Sequence, residues 1–139
     1  MKIFYEAKAS ATGGRTGQVT TNDGALSFQL SMPKGLGGPG GDGTNPEQLF
    51  AAGYAACFDS ALNYIAGLKK VALESTSVGS TVGIGQRDDG GYGLTVALQV
   101  KIVGVPRDQA EELLRAADAA CPYSNAIRGN VDVALSLVD

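Results

Sequence analysis

The chain reads as an α+β protein, and three observations carry that reading. Short strand-like runs separated by Gly13-Gly14 and Asn22-Asp23-Gly24 predict an antiparallel meander in the first thirty residues. An apolar run that opens on Thr44-Asn45-Pro46-Glu47 predicts a helix from residue 46 to about 67. Two further strand-like stretches, a second helical pattern and a closing alternating run complete the chain.

The elements follow in order. Strands are expected over Lys2 to Ala11, Arg15 to Thr21 and Ala25 to Leu30. Residues 35–43, Gly-Leu-Gly-Gly-Pro-Gly-Gly-Asp-Gly, are expected to be a loop, because glycine loses too much backbone freedom and proline lacks a donor. Asn45 or Thr44 can cap the helix that follows, Pro46 suits its first turn, and Glu47 suits the positive end of its dipole. Along that helix Leu49, Phe50, Gly53, Tyr54, Cys57, Phe58, Ala61, Leu62 and Ile65 form one broad stripe, and Ala51, Ala52, Ala55 and Ala56 lie opposite. A helix apolar almost all round is buried on several sides, which favours a sheet on one side and a partner subunit on another.

Glu74 to Gln86 and Gly93 to Val105 form a predicted hairpin around Arg87-Asp88-Asp89-Gly90-Gly91. Its second strand alternates Leu94, Val96, Leu98, Val100 and Ile102, and Pro106 ends it. Arg107 to Cys121 places Ala110, Leu113, Leu114, Ala117 and Cys121 on one helical face, with Pro122 as the breaker. Val131, Val133, Leu135 and Leu137 mark a final strand.

At 139 residues the chain is the size of one domain, expected to span 1–139. The net charge of −3 and scattered basic residues argue against a nucleic-acid face. Glu6 interrupts any apolar leader and the run at 49–58 is too short to span a bilayer, so no membrane association and a cytoplasmic location are expected.

Chemistry centres on two cysteines, Cys57 in the first helix and Cys121 at the end of the second. The chain has no histidine, which excludes a serine triad of the usual form and leaves a poor ligand set for a metal. The glycine loop lacks the Gly-Lys-Ser/Thr ending of a phosphate cradle and the pattern of a dinucleotide site, so no cofactor is expected. In a reducing compartment the two thiols are either inert packing or a working redox couple, and composition does not choose. Cys57 sits about eleven residues into its helix, roughly 16 Å from the N-terminus, too far for the dipole to stabilise its thiolate. A reactive Cys57 therefore needs a nearby cation or strong donors. Glu47, on position alone, is a first-turn residue favoured by the dipole.

The stretch Asn45-Pro46-Glu47-Gln48-Leu49-Phe50-Ala51-Ala52-Gly53-Tyr54-Ala55-Ala56-Cys57-Phe58, with Ala120-Cys121-Pro122-Tyr123-Ser124-Asn125-Ala126, closely resembles the organic hydroperoxide resistance proteins of the OsmC/Ohr family. Gly13-Gly14-Arg15 and the Gly-Pro-Gly loop fit the same family, and the similarity runs over essentially the whole chain.

This resemblance implies an OsmC-like fold in which antiparallel sheets pack around a long central helix, assembled as an intertwined homodimer. It implies a thiol-dependent peroxidase that reduces organic and fatty-acid hydroperoxides to alcohols. By position, Cys57 becomes the peroxidatic thiolate and Cys121 the resolving thiol, joined as a disulfide during turnover. Arg15 becomes the cation that stabilises Cys57 and polarises the peroxide, and Glu47 the carboxylate that holds Arg15. Electrons are expected from dihydrolipoyl groups on a lipoylated protein or from another dithiol. Two competing readings are a general osmotic-stress peroxidase and a non-catalytic redox sensor.

Overall fold

The computed structural model describes residues 1–139, which form two compact units, Met1–Leu49 and Phe50–Asp139. No helix is long and apolar enough to cross a membrane.

In the first unit three short strands, β1 (Ala9–Thr12), β2 (Gln18–Thr21) and β3 (Ser27–Gln29), pair antiparallel in the order β1-β2-β3. The Asn22-Asp23-Gly24 turn forms as its composition predicts. Asp23 Oδ1 accepts the Thr21 hydroxyl at 2.7 Å and the Ala25 N–H at 3.0 Å, and the Gly24 N–H donates to Thr21 O at 3.1 Å.

Two strands begin three or more residues later than expected. The strand expected from Lys2 pairs only from Ala9 onward, because β2 ends at Thr21 and the chain turns away, with Asn22 N–H to Lys8 O at 3.1 Å as the last link. Arg15 lies on a 3-10 turn, Gly14–Thr16, and not in a strand. The segment between β3 and the long helix is a loop interrupted by one 3-10 turn, Lys34–Leu36, and closed at its base by Ser31 N–H to Thr44 O and Thr44 N–H to Gln29 O, both 2.9 Å. No residue of Met1–Leu49 is fully buried within the chain.

The long helix α1 (Pro46–Leu68) starts in the first unit and runs on into the second. Its start is set by Asn45, whose side-chain oxygen accepts the Gln48 N–H at 2.8 Å, with Pro46 as the first helical residue. Tyr54, Phe58, Ala61, Leu62 and Ala66 recur at helical spacing and are its buried residues. On its open side Tyr64 and Leu68 are exposed.

These side chains join β5 and α2 in the core of the second unit. Strand β4 (Ser75–Gln86) and β5 (Tyr92–Val103) form the expected hairpin, and β5 buries Val96, Leu98 and Val100. Helix α2 (Arg107–Ala120) buries Ala110, Leu113, Leu114 and Ala117 on one face.

Pro122 ends this helix and also begins another. The chain turns at Cys121 and continues as the six-residue α3 (Pro122–Ile127), with proline in a first turn where its missing N–H is harmless. The last strand, β6 (Val133–Val138), pairs parallel with β5. The expected all-antiparallel sheet is therefore mixed, because the connection carrying α2 and α3 is long enough to return the chain in the same direction.

Register aligns the apolar residues in rungs: Val82-Val96-Val133, Ser80-Leu98-Leu135 and Val78-Val100-Leu137. Ser80 is the exception in this ladder, with a buried hydroxyl that has no hydrogen-bond partner. Leu98 is 0% exposed, so Leu98→Ala is expected to destabilise the protein by about 2–5 kcal/mol in urea unfolding. Ser80→Ala removes an unpaired oxygen and is expected to be neutral or stabilising in the same measurement.

Candidate active site

The four residues singled out by sequence fall into two pairs, one in each unit. In the first unit Arg15 and Glu47 form a two-pronged ion pair, Nη1 to Oε2 at 2.9 Å and Nη2 to Oε1 at 2.7 Å. Such parallel bonds fix the guanidinium plane as well as its position.

The backbone around Arg15 is built for this presentation. Gly13 and Gly14 have φ of 75° and 60°, and a Cβ on Gly17 would lie 1.7 Å from the Thr12 carbonyl oxygen. Only glycine accommodates that turn without strain. Glu47 is placed by the first turn of α1. The arginine holds its carboxyl below the ordinary carboxylate range, against the opposing effect of burial, and the Arg15 pKa rises in return.

In the second unit Cys57 and Cys121 are both free thiols, with the Cys121 Sγ–H directed at Cys57 Sγ over 3.7 Å. That is sulfur contact distance, whereas a disulfide is about 2.05 Å. Cys121 is 0% exposed and Cys57 is half-buried. The two residues are 64 positions apart, and α1 and the corner between α2 and α3 bring them together.

Burial pushes the Cys57 thiol above its ordinary pKa, the backbone N–H of Tyr123 pulls it down, and the neighbouring Cys121 pushes it up. This donor was not legible as a site element, because it comes from backbone that the sequence marks only as a helix breaker. Pro122 at the first position of a new helix was the available signal.

Five more residues belong to this corner of the second unit. A Cβ on Gly53 would lie 3.0 Å from the Tyr123 hydroxyl oxygen and 3.2 Å from its ring, so the missing side chain lets Tyr123 pack closely on α1. Phe50, Tyr54 and Tyr123 form an aromatic group with centroids 5.8 to 6.2 Å apart. The Tyr54 and Ser124 hydroxyls, both buried, share a hydrogen bond at 2.7 Å. Burial raises the Tyr54 pKa, which keeps its phenol protonated and able to donate. No group of three or more His, Cys, Asp or Glu side chains is placed to hold a metal ion.

A half-buried thiol in contact with a buried one has the proximity that thiol–disulfide chemistry requires. Residues 38–136 match the family model of OsmC-like proteins. The chain is 51% identical over 98% of its length to an organic hydroperoxide resistance protein of Xanthomonas axonopodis pv. citri, covering 96% of that protein. It is 46% identical to the organic hydroperoxide resistance protein OhrB of Bacillus subtilis, over 96% of this chain and 98% of the relative. A crystal structure of an organic hydroperoxide resistance protein from Legionella pneumophila superposes with a TM-score of 0.95 at 51% identity, covering 99% of this chain and 100% of the other. The chain belongs to the OsmC-like family, in its organic hydroperoxide resistance branch.

The ion pair sets a pH dependence. Because the folded carboxyl pKa of Glu47 lies below its unfolded value of about 4.5, its contribution is present above that pH and is lost as pH falls through the folded pKa. Glu47→Gln is expected to lower stability by about 1 kcal/mol near neutral pH, allowing for solvent around a partly exposed arginine. Thermal unfolding of both proteins from pH 7 to pH 3 should show that difference closing on the acid side only.

Proposed function

We propose that this protein reduces organic hydroperoxides, including those of fatty acids, to alcohols with Cys57 as nucleophile and Cys121 as resolving thiol. The observation that carries the reading is the 3.7 Å contact between a half-buried and a fully buried free thiol. The names of the relatives, which are organic hydroperoxide resistance proteins, support the substrate class.

The Cys57 thiolate attacks one peroxide oxygen, the O–O bond breaks, and the alkoxide leaves as alcohol after taking a proton, giving a sulfenic acid. Cys121 then displaces hydroxide from that sulfur to form the disulfide. An apolar surround, such as the Phe50–Tyr123 ring pair in the same unit as Cys57, would favour an alkyl peroxide over hydrogen peroxide. A dithiol such as a dihydrolipoyl group reverses the disulfide by two successive exchanges, which suits reduction of an intramolecular pair.

Arg15 is assigned the activating role. Burial works against a Cys57 thiolate, and one backbone N–H is its opposing influence within the second unit. A permanent cation is what the chemistry still requires, and the Glu47 carboxylate orients one without neutralising its outer face.

The active form is proposed to be a homodimer. The first unit exposes Ile3, Phe4, Tyr5, Leu26 and Phe28, and a three-stranded sheet without a covered apolar face is not stable alone. Residues 1–7 have strand-like sequence with no strand partner in their own chain, and β4 is an edge of its sheet. A second copy satisfies both. Light scattering is expected to give a dimer, and removal of residues 1–7 should lower the mass to that of a monomer or abolish folding; an unchanged dimer would reject this pairing.

Cys57→Ser is expected to reduce alkyl hydroperoxide consumption with dihydrolipoamide by at least about a thousandfold, since it removes the nucleophile. Cys121→Ser should retain the first oxidation, stop disulfide recycling and raise sulfinic acid at Cys57, as read by intact mass. Undiminished turnover by the Cys57 variant would overturn the reading. A single slow oxidation of the wild type without recycling would favour a redox sensor.

A further inference from the structure

The Tyr54–Ser124 hydrogen bond joins the same two elements as the sulfur contact. Tyr54 lies three residues before Cys57 on α1, and Ser124 lies three residues after Cys121 in α3. Their oxygens are 2.7 Å apart, with the residues 0% and 3% exposed. Ser124 is the buried polar residue of the chain.

Besides the Tyr123 N–H and the Cys121 thiol, which both meet the Cys57 sulfur, the Tyr54–Ser124 bond is the one hydrogen bond that ties a side chain of α1 to a side chain within α3. The remaining polar ties of this corner run to α2: Asn125 Nδ2 donates to Ala119 O at 3.2 Å, and Arg128 Nη2 reaches Asp118 O at 2.9 Å and its carboxylate at 3.3 Å. A buried hydroxyl needs a partner, and phenylalanine at position 54 would fill almost the same space without that demand. The pairing therefore selects one placement of α3 on α1 over others of similar apolar contact.

We infer that Tyr54, acting through Ser124, is a positioning residue for disulfide formation, holding α3 so that Cys121 meets the oxidised sulfur of Cys57. This rests on the peroxidase reading for its oxidant. In the step concerned, Cys121 S–H attacks Cys57 S–OH, the S–S bond forms, the S–O bond breaks, and the thiol proton leaves with hydroxide as water. The sulfurs must close from 3.7 Å to about 2.05 Å, and lateral drift of α3 would spoil that approach. Tyr54 touches neither reacting atom in this scheme. It limits where α3 can sit.

The test compares Tyr54→Phe, Ser124→Ala, the double variant and Ser124→Thr with wild type. Equilibration in dithiothreitol buffers gives the effective concentration of the two thiols without any peroxide. Loss of one hydrogen bond is expected to lower it about five- to tenfold in either single variant. The double variant should be no worse than the worse single, because the two residues act as one unit, and Ser124→Thr should restore it to within about twofold.

A limiting pulse of alkyl hydroperoxide should leave proportionately more sulfinic acid and less disulfide in Tyr54→Phe. If Tm falls while effective concentration and product partition stay at wild-type values, the hydroxyl is a structural anchor only and the inference is overturned. Additive losses in the double variant would overturn it as well. Should Tyr54→Phe fail to fold, the Ser124→Ala and Ser124→Thr comparison decides by the same criteria. Absence of peroxide turnover in the wild type would reject the proposed function instead, and the dithiothreitol equilibrium would still decide the positioning role.

Discussion

A thiolate is hard to maintain in an apolar interior, and the arrangement around Cys57 follows from that constraint. The sulfur sits midway along a helix whose neighbouring residues Tyr54 and Phe58 are fully buried. Its own helix offers no free N–H at that point. The stabilising donor comes instead from the start of α3, where the Cys121-Pro122 corner turns the backbone and brings the Tyr123 N–H to Cys57. The same corner carries Cys121, so one local feature supplies both a donor and the second sulfur.

Helix α1 carries one residue of each pair, Glu47 and Cys57. Glu47 and Cys57 are ten residues apart on it, about 15 Å along the axis, too far for the carboxylate to act on sulfur directly. The proposed role of Arg15 needs a cation that stays charged while held by two hydrogen bonds to a carboxylate. Arginine meets this need where lysine would not, because its planar fork gives the carboxylate two donors and leaves others free. Glycines on both sides of Arg15 provide the tight turn that aims it at Glu47.

Much of the fold was legible because it depends on local rules. Asn45-Pro46-Glu47 marked the helix start where Asn45 caps it, and the alternation in β5 named Val96, Leu98 and Val100 as the strand's buried residues. The short β1 was not legible, since the limit is set by where its neighbour turns and not by its own composition. Likewise, Pro122 read as a stop signal, but a proline that ends one helix also suits the first turn of the next. The parallel pairing of β6 follows from the direction in which α2 and α3 return the chain, which periodicity does not encode.

The candidate site was legible as residue types and opaque as geometry. Motif resemblance nominated four residues, and the structure pairs them two by two, with a guanidinium on a carboxylate and one thiol against another. Tyr54 and Ser124 gave no signal, because a tyrosine on an apolar stripe and a serine after a proline are ordinary in sequence and meaningful only when 70 positions of chain bring them together.

The central claim is that Arg15 offsets the burial of Cys57 and keeps its sulfur ionised near neutral pH. Its most direct test is the Cys57 pKa in a Cys121→Ser background, followed by ultraviolet thiolate absorbance, with and without Arg15→Ala. Activation by the arginine predicts a value below the ordinary thiol pKa of about 8.5 when Arg15 is present and above it when Arg15 is removed. The same pKa in both proteins would contradict it.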